Sequence, residues 1–344
     1  MGFQSHSSVA ATVVIATCNR LSHLAAAVEA LERQTFDNFE ILVVENGPES
    51  GAGAFCAAKR VRYVHEPRIG LSSARNTAAR SAHGDVVAFI DDDAIPEDDW
   101  LHRLLAGFDD PRVGGVTGTI RYMQSYRNDR IMSDDVAPGS ETTRSAELFD
   151  QSTERWFEKA CFGGIGDGSN MAFRRALIGK SIRFDERLGR GQLLDGGEDH
   201  VVLANVIQRG YAVAHLPDAV VRHPAPADPQ SRRTLRLANL RTSIAYVIHL
   251  VAEYPAQRGA IAAFLMRAVL RRLAGFARRN PDATPRSGSI RAAIAGAFLY
   301  WRARRSWRDR GGSESAQPLS TLSQRNRHHK SSFAQARAVN SRTP

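Results

Sequence analysis

Three adjacent carboxylates, Asp91-Asp92-Asp93, close the apolar run Val86–Ile90. Packed side by side they repel one another, a cost that a bound cation removes. On an extended segment alternate residues point the same way, so Asp91 and Asp93 address one ligand. Hard oxygen donors suit magnesium or manganese, which bind through one or two carboxylates plus substrate phosphates. The competing reading is a solvated acidic turn beside the helix-capping Asp98 and Asp99. Position directly after an apolar strand favours the metal and a diphosphate. A second acidic pair, Glu198-Asp199, follows Asp195-Gly196-Gly197 and opens a helical pattern, where acids are also favoured by electrostatics alone. The glycine-dense loop Gly163–Gly168 leads into Ser169-Asn170 and is either a flexible connection or a place where backbone N–H groups approach a sugar or phosphate closely.

These residues need a frame. Continuous apolar runs at 12–17, 41–44, 61–64 and 86–90 alternate with helical patterns over 21–34 and about 72–82. That alternation predicts an α/β fold: a mostly parallel sheet covered by helices on both faces. Ligands in such sheets sit at the carboxyl ends of the strands, where Asn19, Glu45 and the three aspartates fall. Val113–Tyr122 reads as a further strand, 123–152 as a long mobile excursion, Glu198–Arg209 as a helix, and 211–215 and 219–223 as two short strands. Pro224, Pro226 and Pro229 mark a boundary, giving a catalytic unit over 9–229, a basic helical extension over 230–310 and a disordered tail over 311–344.

The 344 residues are 43% hydrophobic and 24% charged, a globular balance. Three scattered cysteines offer neither a disulfide framework nor a zinc site and point to a reducing compartment. The N-terminus shows no secretory signal, and no apolar run is long enough to span a membrane, so a cytoplasmic protein is expected, with a peripheral place on the inner face of the plasma membrane as its variant. The net charge of +10 is uneven. Residues 230–344 hold 22 Lys and Arg against 4 Asp and Glu, a net of +18, which leaves 24 against 32, a net of −8, for residues 1–229.

The motifs taken together resemble a family 2 glycosyltransferase of the GT-A fold over about residues 9–225. Ala16-Thr17-Cys18-Asn19-Arg20 stands where that family has a Pro-Thr-Tyr-Asn-Arg signature, and Glu45-Asn46 matches its acidic-asparagine pair. Gly70-Leu71-Ser72-Ser73-Ala74-Arg75-Asn76, then Phe89–Pro96 around the DXD, Gly168–Arg174 and Gly197-Glu198-Asp199 follow in the family's order. The resemblance implies an inverting, metal-dependent transfer of a sugar from a nucleotide-sugar donor to a hydroxyl of a glycan or lipid-linked acceptor. It implies that Ala16, Cys18, Arg20, Glu45, Arg75, Asp91 and Asp92 bind the donor, Glu45 through the base or ribose and Arg75 through the base or phosphates. Asp91, Asp93 and His223 would hold manganese or magnesium, Gly168 and Asn170 would meet the acceptor, and Asp199 would be the base with Glu198 beside it. Ala16 and Cys18 depart from the usual Pro and Tyr, and Glu45 is one methylene longer than the usual Asp.

In the C-terminal third, Ala262, Leu265, Val269, Leu273 and Phe276 lie along one helical face, with Arg267, Arg271 and Arg278 roughly opposite. Residues 291–310 mix Ile294, Phe298, Leu299, Trp301 and Trp307 with arginines. Such basic amphipathic helices suit an anionic membrane surface. Equally, they pack on the acidic body with their arginines inward. Nucleic acid is disfavoured, since no recognition module is present. A sugar nucleotidyltransferase would carry a glycine-rich loop after its first strand, which 16–22 (ATCNRLS) lacks, and a non-catalytic glycan- or membrane-binding protein has no need of an intact acidic set.

Overall fold

The computed structural model of the chain describes residues 9–123, 126–127, 130–131, 145–224, 229–275 and 286–309. Strands β1 (Ala11–Thr17), β2 (Phe39–Asn46) and β3 (Arg62–Glu66) pair in parallel, linked by helices α1 (Leu21–Leu31) and α2 (Ala52–Lys59). After α3 (Leu71–Ser81), β4 (Val86–Asp91) pairs in parallel with the other edge of β1. There follow β5 (Ile95–Pro96), α4 (Trp100–Ala106), β6 (Val113–Met123), the hairpin of β7 (Tyr126–Arg127) and β8 (Arg130–Ile131), β9 (Glu147–Phe149), α5 (Trp156–Cys161), β10 (Asn170–Arg174), α6 (Glu198–Gln208) and β11 (Ala212–Pro224). Helices α7 (Pro229–Glu253), α8 (Arg258–Gly275) and α9 (Arg286–Asp309) complete the described chain. The main sheet runs β3-β2-β1-β4-β10-β6-β11-β5, with β9 on β11. β10 is antiparallel to both its neighbours, and β6 pairs in parallel with β11.

Simple alternation divides the apolar runs between two cores. Val14, Leu42, Val44 and Phe89 face one side, where α3, α6 and α7 cover them, and Val13, Ile15, Val43 and Ile90 face the other, under α1 and α4. Each large side chain buried this way contributes roughly 1.5–3 kcal/mol. The first core does not stop at the proline boundary. Tyr246, Leu250 and Tyr254 of α7, Ile261 of α8 and Leu299 and Tyr300 of α9 join the same buried cluster as Phe157 and Val201.

Six elements differ from the reading of the sequence. The two short strands expected over 211–223 are one strand, β11, which changes register against β6 between Leu216 and Val220, so that a single partner serves both halves. β10 was not anticipated, because a five-residue strand buried on both faces shows no alternation. α2, rich in Ala and Gly, also carries little periodic signal. Within the expected excursion over 123–152, β7, β8 and β9 are strands, while 124–125, 128–129 and 132–144 lie outside the described residues, as do the tail after 309 and residues 276–285.

Glu66, at the end of β3, shows how these strand ends are held. Its buried carboxylate accepts bonds from the Arg68 main chain and guanidinium and from the Thr77 hydroxyl. Burial opposes ionisation, but these donors outweigh it and bring the pKa down to about 2. A carboxylate with a depressed folded-state pKa stabilises above its unfolded value and loses that contribution as pH falls through the folded one. Glu66→Gln is therefore expected to remove about 1–2 kcal/mol at pH 7, a figure discounted because Arg68 is largely exposed, and to flatten the stability curve between roughly pH 4.5 and 2. Urea unfolding of both proteins across that range checks it, and parallel curves would refute it.

Candidate active site

Parallel pairing puts the carboxyl ends of β1, β2 and β4 level. Ala16 lies between Val44 and Asp91, and Thr17 beside Glu45. The three aspartates leave β4 there with different environments. Asp91 Oδ1 lies 3.2 Å from Arg75 Nη2. Asp92 accepts from the Thr17 hydroxyl at 2.8 Å and from Arg20 Nη1 at 2.8 Å. Asp93 takes Arg20 Nη2 at 2.7 Å on one oxygen and faces His223 Nε2 at 3.1 Å on the other. Burial raises the pKa of Asp91 despite Arg75 and His223, and pushes Asp92 up to about 6 against the pull of Arg20 and Thr17. Asp93 is buried too, but His223 and Arg20 outweigh that and hold it well below the usual carboxylate range. The reciprocal effect on His223 is larger than its desolvation and raises it to about 9.

Asp91, Asp93 and His223 offer donor atoms that all lie within 4.8 Å of one another. His223 comes from the far end of β11, with the Tyr122 ring of β6 edge-on at 5.8 Å. Two carboxylates and an imidazole fit manganese or magnesium. The charges of Arg20 and His223 now face the carboxylates that such an ion would neutralise.

Arg75 ties this group to the second acidic pair. Its fully enclosed guanidinium donates to Glu198 Oε1 at 2.8 Å and to the Gly168 carbonyl at 2.9 Å, besides meeting Asp91. Gly168 in turn donates its N–H to Asp199 Oδ2 at 2.8 Å, and the His200 N–H reaches Oδ1. A Cβ on Gly168 would stand 3.0–3.1 Å from both Arg75 nitrogens and from Asp199 Cβ, so glycine lets these groups close around the loop. Burial and the adjacent Asp199 push Glu198 up. Asp199 is held below the usual range: burial works against ionisation, but His200, Arg75 and the two N–H donors outweigh it. Of the two, Glu198 is therefore the carboxyl that holds a proton more readily and Asp199 the one whose ionisation is favoured.

The structure draws Arg20, Arg75, Asp91, Asp92, Asp93, Gly168, Glu198, Asp199 and His223 into one connected set. Cys18 is exposed at the end of β1, near Gly47 and Ile69. Two expected residues are turned elsewhere. Glu45 is 0% exposed, and its carboxylate accepts from the Ser50 N–H and hydroxyl at 2.6 Å each and from the Tyr63 hydroxyl at 2.5 Å, so it braces the β2–α2 corner instead of facing a nucleotide. Asn170, also 0% exposed, donates to the Thr119 and Ala219 carbonyls and accepts from the Trp100 indole, joining β10 to β6, β11 and α4 with no polar atom left for an acceptor. Asp92, tied to Thr17 and Arg20, likewise shapes the turn and is outside the group of converging donors. Two residues given no role by the sequence enter here: Thr17, which stands within the Ala16–Arg20 signature, and Tyr246 of α7. The Tyr246 ring packs on Gly197, where a Cβ would come within 2.6 Å of it, just before the helix that starts with Glu198-Asp199.

Comparison with known proteins agrees with this architecture. Residues 12–181 match the family model described as glycosyl transferase family 2. The chain is similar to the succinoglycan biosynthesis protein ExoM of Rhizobium meliloti, 29% identical over 213 residues that make up 59% of this chain and 62% of that protein. It is similar also to the putative glycosyltransferase EpsH of Bacillus subtilis, 25% identical over 179 residues, 49% of this chain and 48% of that one. The chain thus spans about half to two thirds of the length of these relatives. Among solved structures it resembles a mannosyltransferase from Pyrobaculum calidifontis in complex with GDP-Man and Mn2+, with a TM-score of 0.52 and 18% identity over 86% of this chain and 82% of that one. The TarS 1-349 fragment of S. aureus in complex with UDP gives the same TM-score at 16% identity, covering 87% and 91%. On these matches residues 12–181 form a glycosyl transferase family 2 segment, set in a GT-A fold that continues into α7–α9.

Proposed function

We propose that this chain is an inverting glycosyltransferase that uses a divalent metal, manganese or magnesium, to move a sugar from a nucleoside diphosphate onto a hydroxyl of a glycan or lipid-linked acceptor. The observation that carries the reading is the convergence of Asp91, Asp93 and His223 on one point, with Asp199 reached from Asp91 through Arg75 and Gly168. The complexes of structural relatives with GDP-Man and Mn2+ and with UDP support the donor class.

When bound, the metal neutralises charge developing on the departing diphosphate. The chain supplies the remainder. Arg75 holds Glu198 and the Gly168 loop in place and presents a guanidinium toward an anionic donor. Asp199, ionised and oriented by the Gly168 N–H, takes the proton of the acceptor hydroxyl as its oxygen bonds to the anomeric carbon and the bond to the diphosphate breaks on the opposite face. Exposed Cys18 and Ile69 border the space at the end of β1 where a base would lie. We place the enzyme in the cytoplasm, as a peripheral protein of the inner membrane face. The free state of Cys18, Cys56 and Cys161 supports a reducing compartment, and no helix among the described residues is long and apolar enough to cross a membrane.

Titration calorimetry of UDP and GDP, each with and without manganese, tests the reading. Binding of one nucleotide that depends on the metal is expected. Binding of neither, nor of dTDP, would overturn it.

A further inference from the structure

Helix α8 is oriented the opposite way from what amphipathicity alone suggests. Its inner side is formed by Ile261, which is buried, by Phe264, whose ring stacks on Phe162 at 3.8 Å, and by Arg267, which pairs with Glu158 of α5. The apolar stripe, Leu265, Met266, Val269 and Leu270, looks outward, and Met266 is 61% exposed. α9 repeats the arrangement. Leu299, Tyr300 and Ala303 face the core, while Ile294, Phe298 and Trp301 face out, Phe298 at 68% and Trp301 at 60%. Exposed arginines stand on the same outer face, Arg302 and Arg305 within a turn of Trp301, and Arg304 lies over the Trp301 ring. Neither helix carries an acid before Asp309.

An outward apolar stripe on a globular body marks a contact surface, and its charge selects the occupant. A second copy of the α9 face would bring arginines against arginines. The chain's own C-terminal segment after Gly311 is also basic, with Arg325, Arg327, Lys330, Arg337 and Arg342 against Glu314, so it is no complement. Apolar residues with tryptophan, edged by arginines, match the boundary between anionic headgroups and acyl chains. We propose that the outer faces of α8 and α9 dock on an anionic lipid bilayer, with Met266, Leu270, Phe298 and Trp301 entering the headgroup–acyl boundary and the α9 arginines meeting phosphates. This rests on the peripheral placement proposed above and names its surface. It also bears on the acceptor, because Phe162, the partner of Phe264, directly precedes the Gly163–Gly168 loop whose last residue holds Asp199. Docking would bring a membrane-held acceptor to that side of the site.

Deleting the helices is no test, since their inner residues belong to the core. The full chain is instead sedimented with vesicles of phosphatidylcholine alone and of phosphatidylcholine mixed with phosphatidylglycerol. Binding to the anionic vesicles, weakened by salt, is expected. The variant Met266→Ser/Leu270→Ser/Phe298→Ser/Trp301→Ser should bind roughly a hundredfold less well, as expected when four large side chains no longer leave water. Arg302→Gln/Arg305→Gln should lose the preference for the anionic vesicles. Metal-dependent nucleotide binding, measured on the same samples, should be intact in both variants. Failure of the wild-type chain to sediment while nucleotide binding persists would overturn the docking surface alone. Equal vesicle binding by the fourfold variant would do the same, as would a wild-type dimer that this variant returns to monomer, which would make a second copy the occupant.

Discussion

Replacing Asp93 by Ala is expected to abolish the manganese-dependent part of nucleotide binding and to lower turnover by about a thousandfold or more. Asp93 does more than supply one of three donors. It is the carboxylate that His223 and Arg20 both face, and its removal takes an acidic partner from each of them. Arg20 keeps its bond to Asp92, so the turn after β4 stays anchored. Relief of repulsion among the three acids offsets part of the lost pairing, and stability should change by only about 1–2 kcal/mol. The sign of the histidine shift provides an independent readout. Asp93 is the chief reason that His223 sits near pH 9, against the effect of its own burial. In Asp93→Ala its titration should therefore move down toward the ordinary histidine range, as followed by NMR in metal-free protein. Unchanged manganese-dependent binding in a folded variant would remove Asp93 from the metal site.

Asp199→Asn should lower turnover by about a thousand- to ten-thousandfold while donor affinity stays within a few-fold, because the proton acceptor is lost and the Asp91–Asp93–His223 group is untouched. The new amide is nearly isosteric. One of its atoms turns a donor toward either the Gly168 or the His200 N–H, a conflict worth about 1–2 kcal/mol and insufficient to unfold the chain. Glu198→Gln is the internal control. Glu198 is the member of the pair that holds a proton more readily, so the amide mimics the form that burial favours, and the loss should be at least tenfold smaller than for Asp199→Asn. Single-turnover transfer with donor binding measured in parallel separates the two. Equal losses would mean that the pair acts as a unit and not through Asp199.

Much of the site was legible because strand runs and helix periods are local. The parallel alternation follows from the apolar runs over 12–17, 41–44 and 86–90, and with it the common edge where Asp91-Asp92-Asp93 emerges. The order of motifs likewise placed Arg75 and Glu198-Asp199 in one family pattern, to which the resemblance added His223. A local pattern states which residue types are present at an edge, not which way each side chain turns. Glu45 sits at the expected strand end, yet Ser50 and Tyr63 draw its carboxylate inward, and Asn170 begins the expected segment but spends its amide on the β6, β11 and α4 neighbours. The Arg75–Glu198 pair spans 123 positions, a separation no periodicity encodes.

The extension divides in the same way. Its helices, their arginines and their apolar stripes are properties of spacing and were decided by the sequence. Which stripe faces inward was decided by the body, because Glu158 of α5 and Phe162 just after it meet Arg267 and Phe264 on one side of α8. For the same reason α7 belongs to the site: only the folded chain brings the Tyr246 ring onto Gly197, at the turn that presents Glu198 and Asp199.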